Sequence, residues 1–390
     1  MARFYRSPLW KFPILDLSSW GWITNLDHFA GSRALTFTLN APATGQAQVP
    51  SDEPLVNILD TGTIGGQFPL LEEGVRGVVG YRREWNGVSY DWVVRSAGII
   101  LNMEDAARSN EPLSAFTWYD PWQLLMHRPL RNSTGGLIGQ GGMSFTATRG
   151  DVIVNDILNW SYSADGPFYT IWNDETWEAT DQIDINFRQG LSVGAALQQL
   201  AATGTIDMWF RPFYDASLPQ ALAQMSVFNR MGQNRYNAGF SWDQPPYSLV
   251  DISRLEDGNQ RANNVQFYSG QGGLPVTLQT DVTSEGIYGP YWDQQFFPVQ
   301  NANVALEAYA AYELALRANG KVTVATSPAP ERSPVPWNDY WLGDAVPVHA
   351  SSRLRKQLTG WQRVWQVPLL IDDDATEQVQ RILTLQDAGF

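Results

Sequence analysis

Strict alternation marks the clearest element of the chain: Leu35, Phe37 and Leu39 share one face of an extended segment, and Thr36 and Thr38 the other. That period of two predicts a half-buried strand. Gly77 to Arg95 reads as a hairpin around Asn86-Gly87, a dipeptide suited to positive φ at both central turn positions, with Tyr90, Trp92 and Val94 on one face of the second arm. Two further apolar stretches, Ala97–Leu101 and Ala115–Trp118, follow. The first part of the chain therefore reads as a small antiparallel barrel or sandwich. Residues 133–150, rich in Gly and Thr, read as a surface loop or linker.

Beyond it the period changes. Asp151 to Trp160 can form a short helix. Ser192 is a plausible N-cap for a second one, with Val193, Ala196, Leu197 and Leu200 at helical spacing and Gly204 placed to end it. Ile206, Met208 and Phe210 then alternate as a strand, so residues 151–225 read as a small α+β unit. Strand signals return near Val265 and Phe267. An Ala- and Leu-rich helix is predicted from Asn303 to Asn319, closed by Gly320. Ala345–His349, Val364–Ile371 and Ile382–Leu385 are the last strand candidates, after a proline-rich loop at 329–337. Asp374 and Glu377 can instead form a capping box for a helix running through Val379 and Ile382, which competes with the last strand. No tandem repeat shows a fixed period.

Composition narrows the function. The chain has 390 residues, 44% of them hydrophobic, enough for ordinary buried cores, and length alone suggests two or three domains. No apolar run approaches the ~18–20 residues that span a bilayer. Residues 1–20 lack the apolar core and cleavage site of a secretory signal. The expectation is a soluble chain assembled in a cytoplasm, with no membrane insertion. The net charge of −14 and the absence of a basic run oppose nucleic-acid binding, which phosphate contacts drive. With no cysteine, disulfides, thiolate metal sites and cysteine nucleophiles are excluded. The 17 Trp, 15 Tyr and 17 Phe suit either large protein interfaces or sugar-stacking faces.

Candidate chemistry is thin. The glycines at 135, 136, 139, 141 and 142 lack the Lys-Ser/Thr pair of a phosphate loop; Met143 and Ser144 follow instead. His28, His127 and His349 are too dispersed for the close pairs of a zinc site. Asp372-Asp373-Asp374 lacks the central glycine of a calcium loop. Asp91-Trp92, Trp242-Asp243 and Trp292-Asp293 raise the idea of a glycosidase, but the sequence does not place any two of these carboxyls at the separation needed across a sugar. We expect no catalytic residues, no metal site, no cofactor and no enzymatic activity.

Four segments in order resemble the tail hub (minor tail) proteins of siphophages, especially those of actinobacterial hosts. They are Ala34 to Asn40; Tyr119-Asp120-Pro121-Trp122 with Leu124 and Leu125; Leu191 to Val193 leading through Leu200 to Asp207; and Asp339 to Asp344 with Gln362-Arg363-Val364. Residues between 210 and 300 lie outside the resemblance. It implies a mainly β chain with α+β insertions: two small β-barrel domains plus a smaller α+β domain. The division expected is an N-terminal barrel domain at 1–125, an α+β domain inserted at 126–225, strands returning to the first barrel at 226–265, and a second barrel domain at 266–390 containing the 303–319 helix. The resemblance further implies a homotrimeric baseplate hub in the virion tail tip. Its partners would be the distal tail protein, the tape-measure protein and the central tail fibre or spike proteins, with DNA passing through the channel without specific binding. A distal tail protein of the same tip, or a carbohydrate-binding receptor-recognition protein, is the alternative.

Overall fold

The computed structural model describes residues 10–25, 33–50, 76–107, 112–139, 142–166, 169–172, 177–215, 221–269, 274–297, 321–329, 332–351, 357–372, 377–379 and 382–386, together with Gly74 and residues 310, 311, 313, 314, 317 and 318. The chain is mainly β. One large sheet runs, by hydrogen-bonded neighbours, Leu249–Asp257, Lys321–Pro328, Ile382–Gln386, Leu358–Ile371, Arg33–Thr38, Thr44–Pro50, Pro112–Tyr119, Tyr90–Ala107, Arg76–Trp85, Pro13–Asp16 and Trp22–Asn25. Among the described residues this path stays open at both ends, and neither half closes into a barrel.

The alternating strand predicted at 35–39 is the bridge between the two ends of the chain. Arg33–Thr38 pairs antiparallel with Thr44–Pro50 on one side and with Leu358–Ile371 on the other. Leu35, Phe37 and Leu39 are buried in a core that also holds Trp118, Tyr340, Val364, Val367 and Leu369. Each large apolar side chain fully withdrawn from water contributes about 1.5–3 kcal/mol, and here residues from both ends supply it together. Trp118 is accommodated because its cross-strand neighbour is Gly45, where an added Cβ would lie 2.0 Å from the indole.

A second core gathers Trp122, Leu125, Ile153, Ile157, Val193, Leu197, Leu200, Met208, Phe210 and Val227. Two helices cover it. Gly150–Asp165 buries Ile153, Val154, Ile157, Leu158 and Ser161 at helical spacing, and is longer than the predicted short helix. Val193–Ala201 begins as predicted, with the Ser192 hydroxyl accepting from Ala195 N–H at 3.1 Å. Gly204 takes φ 74° just after this helix. The strand Asp207–Pro212 follows, paired with Ala223–Phe228.

Three local expectations are corrected. The hairpin turn is a loop of residues 86–89 in which only Gly87 has positive φ; Asn86 instead accepts the N–H groups of Val88 and Ser89 through its side chain, an Asx-type turn. Part of the supposed 133–150 linker, Met143–Arg149, is a strand paired with Gln182–Phe187, because its Thr and Phe residues find a partner edge. Glu377 caps no helix: Glu377–Val379 is a strand on Leu358–Ile371, and Ile382–Gln386 confirms the competing strand reading. Asp374 lies outside the described residues. Of the predicted 303–319 helix, residues 310, 311, 313, 314 and 317 are helical and the others lie outside the described residues, as does Gly320.

A smaller sheet places Asn264–Ser269 between Leu274–Thr280 and Trp292–Phe297, with the helix Val282–Tyr288 linking the outer two. No described helix is long and apolar enough to cross a membrane.

Candidate assembly interface

The long hairpin of Arg76–Trp85 and Tyr90–Ala107 separates its side chains onto two faces, and the faces differ chemically. On one, Arg82 pairs with Glu377 at 2.8 Å and with Glu84 at 3.0 Å, while Arg95 pairs with Glu84. Trp10 donates its indole N–H to Glu377 at 3.1 Å, and the Arg82 and Arg95 guanidiniums lie over the Trp337 ring. Burial raises the Glu84 carboxyl, but Arg95 and Arg82 outweigh it and hold the group below its ordinary value. This face fastens the hairpin to the C-terminal strands.

The other face remains in water. It carries the exposed Arg83, Trp85, Tyr90 and Trp92 and, at its base, the half-buried Tyr81 with Trp22, which lies 6.3 Å from Tyr81 and 4.6 Å from Tyr214 between ring centroids. Trp85, Tyr90, Trp92 and Trp22 are 57%, 54%, 42% and 45% exposed. Cations sit on the rings: Lys11 over Tyr81 and Trp92 at 4.7 and 4.6 Å, Arg83 over Tyr90 at 5.0 Å. Burial pushes the Tyr81 phenol up to about 12, with Tyr214 adding to it. An exposed run of Trp, Tyr and Arg is the composition of protein interface cores. The sequence marked Tyr90 and Trp92 as one face; it missed that Arg83, Trp85 and Trp22 complete it, although the period of two through 81, 83 and 85 carried the signal.

The aspartates of the matching motifs have a different role, one that spacing did not reveal: they fasten the parts of the chain together. Asp207 accepts from Asn40 at 3.1 Å, from Met231 N–H at 2.7 Å and from Arg363, which also donates to Met231 and Gly343 carbonyls. Asp344 accepts from Gln233 N–H, Trp341 N–H and Arg235 at 2.8–2.9 Å. Asp120 caps the short helix Pro121–Leu125 and accepts Ala43 N–H at 2.9 Å. Its burial pushes the carboxyl up to about 7 against these backbone donors.

The other candidates are dispersed. Asp91 bonds to Asn86 and Ser89 in the hairpin turn; Asp293 pairs with Arg317. Asp243 accepts from both the N–H and the hydroxyl of Ser351 and lies 3.7 Å from His349. The acid therefore stands between serine and histidine, whereas nucleophilic catalysis needs the histidine in the middle. His127 borders a shallow pocket of about 330 Å³ with Arg128, Leu137, Gln189 and Ser192; His28 lies outside the described residues. The glycine-rich loop turns its donors inward, since Asn132 accepts the N–H groups of Thr134 and Gly136. Among the described residues no group of three or more His, Asp or Glu is arranged to hold a metal ion.

No protein-family model matches the chain, and no curated protein matches it in sequence. Solved structures do match. The tail protein from Neisseria meningitidis aligns with TM-score 0.60 at 11% identity over 97% of both chains. The tail protein of prophage MuSo2 from Shewanella oneidensis gives 0.55 at 11% identity over 97% of this chain and 98% of that one. Prophage tail protein gp18 from Listeria monocytogenes gives 0.52 at 10% identity over 97% and 95%. At such identities the likeness is one of fold: over 97% of its length, this chain is built as these tail proteins are built.

Proposed function

We propose that this chain is a structural subunit of a bacteriophage tail tip, a trimeric baseplate hub that joins the tail tube and distal tail ring to a central fibre or spike and gates the channel between them. The observation carrying this reading is the end-to-end fold correspondence: 97% of this chain aligns with 97% of the Neisseria tail protein. The buried joints at Asp207 and Asp344 support it, because a load-transmitting subunit needs its parts locked together. The excess of acid suits a channel wall past which DNA slides without specific binding. In this reading the two ends of the chain contribute two barrel-like units per subunit, the subunit is neither an enzyme nor a cofactor carrier, and it is assembled into the virion in the host cytoplasm beside the distal tail and tape-measure proteins.

Electron cryomicroscopy of particles labelled with an antibody to this chain tests the proposal. Label at the tail tip with threefold density is expected. Label along the tube or on the head would overturn it, and a true sixfold ring would assign the chain to the distal tail protein instead. A glycan-binding role has less support at Tyr90 and Trp92, where Arg83 and Lys11 lie over the rings on which a sugar would stack.

A further inference from the structure

The exposed aromatic face of the hairpin has a chemically matched counterpart in the same chain. Between residues 278 and 292, Leu278, Val282, Ile287, Tyr291 and Trp292 are 51%, 75%, 66%, 41% and 53% exposed. The segment 278–293 carries Asp281, Glu285 and Asp293 and no Lys or Arg. Arg317 pairs with Asp293 and Arg261 covers Tyr288 and Tyr291, which leaves the helix Val282–Tyr288 with acidic Glu285 beside its apolar side chains. The hairpin face has the opposite character, with Lys11 and Arg83 among its rings.

The two patches also belong to different sheets. The hairpin face lies on Arg76–Trp85 and Tyr90–Ala107, near the Trp22–Asn25 end of the large sheet. The 278–292 patch, on which Asp281 and Glu285 are the acids not paired with Arg317, belongs to the small sheet, whose first strand follows Leu249–Asp257 in the chain. Ring edges tilted 54–59° to one another, with cations on their faces, make an uneven surface suited to interdigitation rather than to a flat sugar ring. Apolar exposure of this kind marks an interaction site.

We propose that the hairpin face of one copy docks head to tail on the 278–292 patch of a second copy, and that this contact closes the ring. The inference rests on the trimeric reading above and adds the contact that builds it. A head-to-tail contact uses two different patches, and closure at three copies leaves none exposed. Substituting two anchors at such a centre is expected to weaken assembly on the order of a thousandfold.

Sedimentation velocity of the full chain over a range of concentrations tests this with two variants, Trp85→Ser/Tyr90→Ser on the hairpin and Ile287→Ser/Trp292→Ser on the patch. All four residues are exposed, and a melt matching wild type verifies folding; Arg83→Glu, at an exposed guanidinium, serves if a serine variant melts early. The expected result is a wild-type trimer of 43.6-kDa chains, each variant alone a monomer, and their equimolar mixture a dimer that grows no further, since one intact hairpin meets one intact patch. A wild-type trimer whose variants stay trimeric would overturn the contact and leave the trimeric hub standing. Monomeric variants that fail to form the mixed dimer would overturn the head-to-tail geometry. A wild-type chain that remains monomeric throughout would overturn both.

Discussion

Glu377 offers the sharpest test of how the chain is held together. Its carboxylate is 5% exposed and faces an Arg82 side chain that is 4% exposed, at 2.8 Å; Trp10 adds an indole N–H at 3.1 Å. Glu377→Ala removes the one acceptor shared by both donors and leaves a buried guanidinium. Breaking such a pair costs about 3–5 kcal/mol. Because Arg82 keeps Glu84 at 3.0 Å, the lower figure of about 3 kcal/mol is expected. A chain of this length melting as one unit has an unfolding entropy of about 0.8 kcal/mol/K, which translates the loss into about 4 °C. Differential scanning calorimetry reads it. The control is Arg82→Leu/Glu377→Ala, which buries no uncompensated charge and should melt above Glu377→Ala alone. A Glu377→Ala chain melting within about 1 °C of wild type, or a double variant as unstable as the sum of its singles, would refute the account of the hairpin anchor.

Other substitutions probe packing, capping and pH. Gly98→Ala puts a Cβ 2.2 Å from the Tyr119 carbonyl oxygen, an atom of the paired backbone that cannot rotate away; a loss of about 1–3 kcal/mol or more in chemical denaturation is expected, and an unchanged midpoint would contradict the close approach. Ser192→Ala removes the N-cap of Val193–Ala201 and should cost about 1 kcal/mol in the same assay, with Ser192→Asp restoring most of it. Asp120, raised to about 7 in the folded chain, binds its proton more tightly folded than unfolded. Its contribution is therefore fully present below the ordinary carboxylate range and is lost as pH rises toward 7. Denaturation of wild type and Asp120→Asn from pH 4 to 8 should show the wild type losing ground relative to the variant across that window; parallel curves would sink the assignment.

Local chemistry was legible from the order of residues. Alternation located Arg33–Thr38, helical spacing located Val193–Ala201, and Ser192 and Gly204 bracketed that helix, because each signal depends on neighbours within one turn or one strand. The competing readings at 374–385 could not be separated in this way. Asp374 and Glu377 satisfy a capping box as well as any pair three residues apart, and the strand prevails only because Glu377 has Arg82 and Trp10 to meet in the fold.

The aspartates at 207 and 344 likewise look ordinary until Asn40, Met231, Arg235 and Arg363 converge on them. The same limit governs the hairpin face. A period of two divides Arg76–Trp85 into two sides but does not say which one faces water. Arg82 and Glu377, 295 residues apart, decide that by burying their side of the hairpin, and so leave Trp85, Tyr90 and Trp92 outside. Sequence alone determined the strongly periodic elements and the division of each strand into two faces; the tertiary structure settled the ambiguous segments and chose the buried face, because only contacts between distant segments can remove one side of a strand from solvent.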